Sequence, residues 1–207
     1  MNKHPRFIAF EGIDGSGKST QAKRLAEYLE NAGTKVHLTF EPSNGPVGTM
    51  IRTIMKGGEH ADDRTIAGLF VADRLDHILN EKTGMLKQLK DGFTVVTDRY
   101  YFSSYAYHGT HMDMQWVINA NAMSASILKP DITIFIDVSP KVSMQRVVQN
   151  REGVELYESI ENLTQVRAKY FEAFDKLEDS EYVVIIDGNR SQDEVFEDIL
   201  SVLNGLI

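Results

Sequence analysis

The chain has 207 residues, 42% of them apolar and 25% charged, with a net charge of −8. That size suits one domain spanning residues 1–207, and the acidic balance argues against a broad nucleic-acid surface. The absence of cysteine excludes disulfides and cysteine-based zinc sites and makes a cytoplasmic setting the default, and with no apolar run near about 18 residues no membrane span is expected.

Residues 1–5 run straight into the first apolar stretch, so no signal peptide is expected. Phe7–Glu11 reads as a buried strand. It is followed by Gly12-Ile13-Asp14-Gly15-Ser16-Gly17-Lys18-Ser19, which fits the phosphate-loop pattern G-x-x-x-x-G-K-[ST]. With average glycine usage a chance match in such a chain is on the order of 1%. Backbone N–H groups of such a loop point at phosphate oxygens. Lys18 is expected to reach the β- and γ-phosphates of a nucleoside triphosphate, with the Ser19 hydroxyl on Mg²⁺. From Lys18 to about Ala32 the apolar spacing is helical, and Gly33 is placed to end that helix.

Further strands are expected at Val36–Phe40, Thr94–Asp98, Ile132–Asp137 and residues 182–187. Each is short and continuously apolar, as strands covered on both faces are. Segments long enough for crossover helices separate them, so the fold class is α/β: a five-stranded parallel sheet flanked by helices, of the P-loop NTPase type. Ligands of such sheets bind at the carboxyl ends of the strands. That rule singles out Glu11, Glu41 with Pro42, Asp98 and Asp137. Asp137 reads best as a helix cap, together with Ser139 and Pro140.

Asp98-Arg99-Tyr100 closes the third strand. An acid here suits Mg²⁺, and Arg99 suits phosphate oxygens. In the preceding helix Phe70 and Arg74 lie four apart and share a face able to stack on and hydrogen-bond a base. His77 follows on that helix, and Ser103, Ser104, Tyr107 and His108 follow the Asp-Arg-Tyr motif. The six histidines show no metal-ligand spacing.

Together these motifs resemble the thymidylate kinase family over nearly the whole chain. The resemblance rests on residues 10–21, on Thr39-Phe40-Glu41-Pro42 with Gly45 to Gly48 and Arg52, on Leu69-Phe70-Val71-Ala72-Asp73-Arg74 with His77, and on Asp98-Arg99-Tyr100 through Tyr107. It implies transfer of the ATP γ-phosphate to dTMP with Mg²⁺, in a homodimer whose interface helix would include residues 119–127. By position, Gly12 to Thr20 would bind ATP. Glu41, Pro42, Arg52 and Arg99 would position the acceptor phosphate. Phe70, Arg74, Ser103, Ser104 and His108 would surround thymine, and Tyr107 would lie against the deoxyribose. A mobile lid of about residues 147–158 would carry a catalytic Arg151, with Arg146 near adenine and residues 188–190 as further adenine contacts. Three departures stand out. Phe40 replaces an arginine frequent in the family, which shifts work to Arg52 and Arg99. His108 replaces a frequent glutamine and would make base recognition titratable. The phosphate loop itself carries no arginine. Kinases for other nucleotides or nucleosides share the architecture, whereas a GTPase switch would need an Asn-Lys-x-Asp motif that is absent.

Overall fold

Alternate residues of the first strand enter two different cores. In β1 (Phe7–Glu11), Phe7 and Ala9 pack into one apolar cluster, and Ile8 and Phe10 into the other. A strand buried on both faces needs apolar residues at every position, which is why the run is continuous. The structure, a computed structural model, describes residues 7–150 and 159–204.

β1 leads through the phosphate loop into α1 (Lys18–Asn31), which Gly33 ends with φ 81°. Then come β2 (Val36–Phe40), α2 (Pro46–Met55), α3 (Asp63–Leu79), α4 (Met85–Lys90) and β3 (Thr94–Asp98). The second half holds α5 (Tyr101–His108), α6 (Met114–Ile127), β4 (Ile132–Asp137), α7 (Pro140–Asn150), α8 (Ile160–Leu177), β5 (Val183–Asp187) and α9 (Gln192–Leu203). The sheet order is β2-β3-β1-β4-β5, and every pairing is parallel. Helices α1 and α9 cover one face with Leu25, Leu29, Ile199 and Leu203; α5, α6 and α8 fill the other with Tyr101, Phe102, Tyr105, Val117 and Tyr170. The expected α/β architecture is therefore present. Four strands have the expected bounds, and the fifth begins one residue later.

Two strand-end acids have long-range partners. Glu11 accepts from the backbone N–H of Tyr100 (2.8 Å) and Ser103 (3.1 Å), so it caps the first turn of α5 from a distant strand. Asp137 is not the cap of α7 expected from its position: both its oxygens receive the Arg167 fork of α8, at 2.6 and 2.7 Å. Ser139 serves α7 instead, its hydroxyl accepting from the Val142 N–H at 3.4 Å.

Candidate active site

The carboxyl ends of β1 and β3 bring the phosphate loop beside Asp98 and Arg99. Phe10 pairs with Asp98 in register, and the Arg99 N–H donates to the Phe10 carbonyl at 2.8 Å. The loop reverses through glycines of positive φ. At Gly15, φ is 76° and an added Cβ would lie 2.4 Å from the Ser143 carbonyl, so a side chain would push α7 off the loop. Lys18 is buried, with Nζ 3.4 Å from the Ile13 carbonyl and 3.7 Å from the Asp14 carboxylate. Burial pulls its pKa below the ordinary lysine value and Arg99 adds to this, while Asp14, Asp98 and Glu11 oppose it.

The Ser19 hydroxyl donates to Asp98 Oδ2, while Asp98 Oδ1 is buried and meets no hydrogen-bond partner among the described residues. The Ser16 hydroxyl is in the same condition. A hydroxyl beside a carboxylate with a spare buried oxygen is a donor set for a hard divalent cation, so these residues fit Mg²⁺.

Arg99 has φ 73°, the one positive value outside glycine among the described residues. This conformation turns its side chain toward the loop, where it pairs with Asp14 and donates to Ser103 Oγ at 2.9 Å. Its guanidinium lies 4.9 Å from the centre of the Tyr107 ring. Tyr107 donates to Asp14 Oδ2 at 2.8 Å. Burial works against the Arg99 charge, but Tyr107 and Asp14 outweigh it and hold its pKa well above the usual value.

These groups form one wall of a cavity of about 220 Å³. Its lining includes Asp14, Pro42, Arg52, Phe70, Arg99, Ser103, Ser104, Tyr107 and His108, nearly all of them singled out by sequence. Arg52 donates to the Pro42 carbonyl at 2.8 Å and to Thr49 Oγ1 at 3.0 Å, and makes no ion pair among the described residues. Pro42 follows a cis peptide bond. The α2 entrance is tight: a Cβ on Gly48 would fall 2.1 Å from the Ser43 carbonyl. Met55 and Lys56 also line the cavity. They follow Arg52 by three and four residues, about one helical turn, and that spacing is their one sequence signal.

Arg74 is not placed as expected. It is fully buried and absent from the cavity lining. Nε and Nη2 donate to Glu41 Oε2 at 2.9 and 2.6 Å, Nη1 to Ser104 Oγ at 3.0 Å and to Asn121 Oδ1, and Nη2 also to the Tyr100 carbonyl at 3.1 Å. All five guanidinium N–H bonds are thereby engaged, leaving none for a base. Burial raises the Glu41 pKa, but Arg74 and His77 more than reverse this and hold it below the usual carboxyl value. His77 Nδ1 stands 3.2 Å from Glu41 Oε1, and its Nε2 lies 2.7 Å from Thr39 Oγ1.

His108 is buried against Phe70, with ring centres 5.1 Å apart. Burial, then the Arg74 charge, then His111 push its pKa down to about 3. It is neutral throughout the physiological range, so the expected titratable base contact does not arise in the free protein. Phe40 is 42% exposed and lines neither this cavity nor the next.

A second cavity of about 550 Å³ opens on the other side of the loop. Gly15, Ser16, Gly17, Lys18, Ser19 and Thr20 line one end, and Gly188, Arg190, Ser191 and Gln192 the other. Arg146 spans the two, reaching the Gly188 carbonyl at 3.0 Å. Gln21 also lines it. Gln21 entered the sequence reading only as the last residue of the 10–21 motif, with no role assigned to it. Arg151 and residues 151–158 of the expected lid lie outside the described residues.

The family model described as thymidylate kinase matches residues 10–199. A probable thymidylate kinase from Staphylothermus marinus is 36% identical over 202 residues, covering 95% of this chain and 94% of the relative. One from Methanococcus aeolicus is 34% identical, covering 98% and 96%. A thymidylate kinase from Ligilactobacillus salivarius is 34% identical, covering 98% and 99%. With two cavities meeting on a phosphate loop and matches along nearly its whole length, this chain belongs to the thymidylate kinase family.

Proposed function

We propose that the chain transfers the γ-phosphate of ATP to dTMP, giving dTDP. The observation that carries this reading is the adjacency of the two cavities: Asp14 lines the first and Gly15, the next residue, lines the second. A donor in one and an acceptor in the other would meet across a single loop. An oxygen of the acceptor phosphate attacks the γ-phosphorus, and the bond to the β-phosphate oxygen breaks with its electrons leaving on ADP.

The protein's part is to hold two anions in line and neutralise them. The loop N–H groups and Lys18 grip the donor phosphates. Ser19 and Asp98 would hold Mg²⁺, which when bound would supply positive charge beside the donor phosphates. Arg99 lies at the acceptor side of the loop, and Arg52, without a carboxylate partner among the described residues, supplies further charge for the dTMP phosphate. Phe70 offers a ring for thymine, Ser104 and neutral His108 offer polar atoms, and Tyr107 closes on the sugar. Arg74 acts behind them as a positioning residue for Glu41 and Ser104. Arg151 supplies a cation from the lid.

A homodimer is supported by α6, where Trp116 and Met123 are 48% and 63% exposed. A cytoplasmic setting is supported by the cysteine-free composition. No helix among the described residues is long and apolar enough to cross a membrane. Coupled ADP release against dTMP, dUMP, ribo-TMP, dCMP, AMP and thymidine tests the acceptor assignment. Strong preference for dTMP is expected. Turnover of thymidine or dCMP in its place would overturn it.

A further inference from the structure

The second cavity has ends of different chemistry. A triphosphate seated on the loop leaves the far end, between β5 and α9, for the base. Gln21 borders that cavity from α1 and is 2% exposed. Its Nε2 donates to the Gln192 carbonyl at 2.8 Å. A carbonyl only accepts, so the amide is held with its nitrogen toward Gln192 and its oxygen turned away. Oε1 is buried and meets no hydrogen-bond partner among the described residues. Buried polar atoms are nearly always satisfied, so this oxygen has room for a donor from outside the described residues. Arg190, a cation at the same end, is paired with Asp187 and Asp198, and Arg146 donates to the Gly188 carbonyl.

We propose that Gln21 is a specificity-determining residue of the donor site: its buried Oε1 accepts a hydrogen bond from the exocyclic 6-amino group of an adenine nucleotide and disfavours a 6-oxo purine. The inference rests on the second cavity being the nucleoside triphosphate site. A 6-oxo group would set two acceptors against each other, and a purine with hydrogen at that position would leave Oε1 unpaired. Both substitutions should weaken binding, the oxo group more.

Calorimetric binding of ADP, inosine diphosphate and purine riboside diphosphate to the full chain tests this without needing an acceptor. Purine riboside diphosphate should bind about tenfold more weakly than ADP, and inosine diphosphate more weakly still. Gln21→Leu should erase these differences, by weakening ADP and by relieving the penalty on inosine diphosphate. Equal binding of the three by the parent protein would overturn the role of Gln21, a result that needs no variant to fold. An unchanged ADP preference in Gln21→Leu would overturn it too. Failure of all three to bind would instead sink the reading of the cavity, and the proposal with it.

Discussion

Replacing Arg74 with Met removes the partner of a carboxylate that has nowhere else to go. Glu41 is 4% exposed and would keep only His77 Nδ1 at 3.2 Å. Asn121 Oδ1, Ser104 Oγ and the Tyr100 carbonyl would lose the same guanidinium. Breaking one side of a buried ion pair costs about 3–5 kcal/mol. Glu41 can escape by taking up a proton, which at pH 7 costs about 3.4 kcal/mol for a carboxyl of ordinary pKa 4.5. The two figures agree, and for a domain of this size they correspond to a fall in Tm of roughly 6–20 °C. The escape becomes cheaper in acid, so the deficit should shrink by about 2 kcal/mol between pH 7 and pH 5.5. In the parent the sign is opposite. Its Glu41 pKa is depressed on folding, so the Arg74–Glu41 contribution is complete above about pH 4.5 and is lost as pH falls through the folded value. Equilibrium urea unfolding at both pH values measures this, and Glu41→Gln with Arg74→Met should cost less than the sum of the two. A deficit under about 1 kcal/mol at pH 7, or one that does not shrink in acid, would refute the reasoning.

Four further outcomes are expected. His108 has a folded pKa of about 3 against an ordinary 6.5, so the unfolded chain gains the proton first in acid. His108→Gln should therefore recover about 2 kcal/mol of stability at pH 5 and leave the pH profile of dTMP affinity between pH 6 and 8 the same as the parent's, checked by urea titration and calorimetry. Asp98→Asn should raise the Mg²⁺ concentration for half-maximal transfer about tenfold or more, read from magnesium titrations of the coupled assay. Gly48→Ala should lower stability by more than about 2 kcal/mol, because its Cβ would meet backbone atoms of Ser43 at 2.1 and 2.7 Å. Arg151→Ala should lower kcat about 100-fold or more with little change in dTMP affinity, separated by single-turnover kinetics and binding.

What the sequence disclosed was what local pattern encodes. Ile132–Asp137 could be read as a strand because burial on two faces demands an unbroken apolar run, whereas Val36–Phe40 lies at the sheet edge with Leu38 and Phe40 exposed, so double-sided burial is not what its pattern reports. The phosphate loop could be read because Gly-x-Gly-Lys-Ser chemistry is contiguous. Long-range partners could not. Nothing near Asp137 announces Arg167, and nothing near Glu11 announces the amides of Tyr100 and Ser103. Arg74 shows the limit most clearly. Its spacing from Phe70 gave a shared face correctly, yet the short helix turn that exposes Phe70 to the cavity buries Arg74 against Glu41 and Asn121, residues supplied by β2's following loop and by α6. Gln21 was silent for the same reason, since its meaning comes from Gln192 across the cavity.

Donor and acceptor are proposed to occupy two cavities joined at the loop between Asp14 and Gly15. Binding of a single molecule in which adenosine and thymidine are joined through five phosphates tests it most directly. One molecule is expected to bind per chain, more tightly than ATP or dTMP alone, and to compete with both. Competition with only one of the two, or binding no tighter than the better of the two substrates, would contradict it.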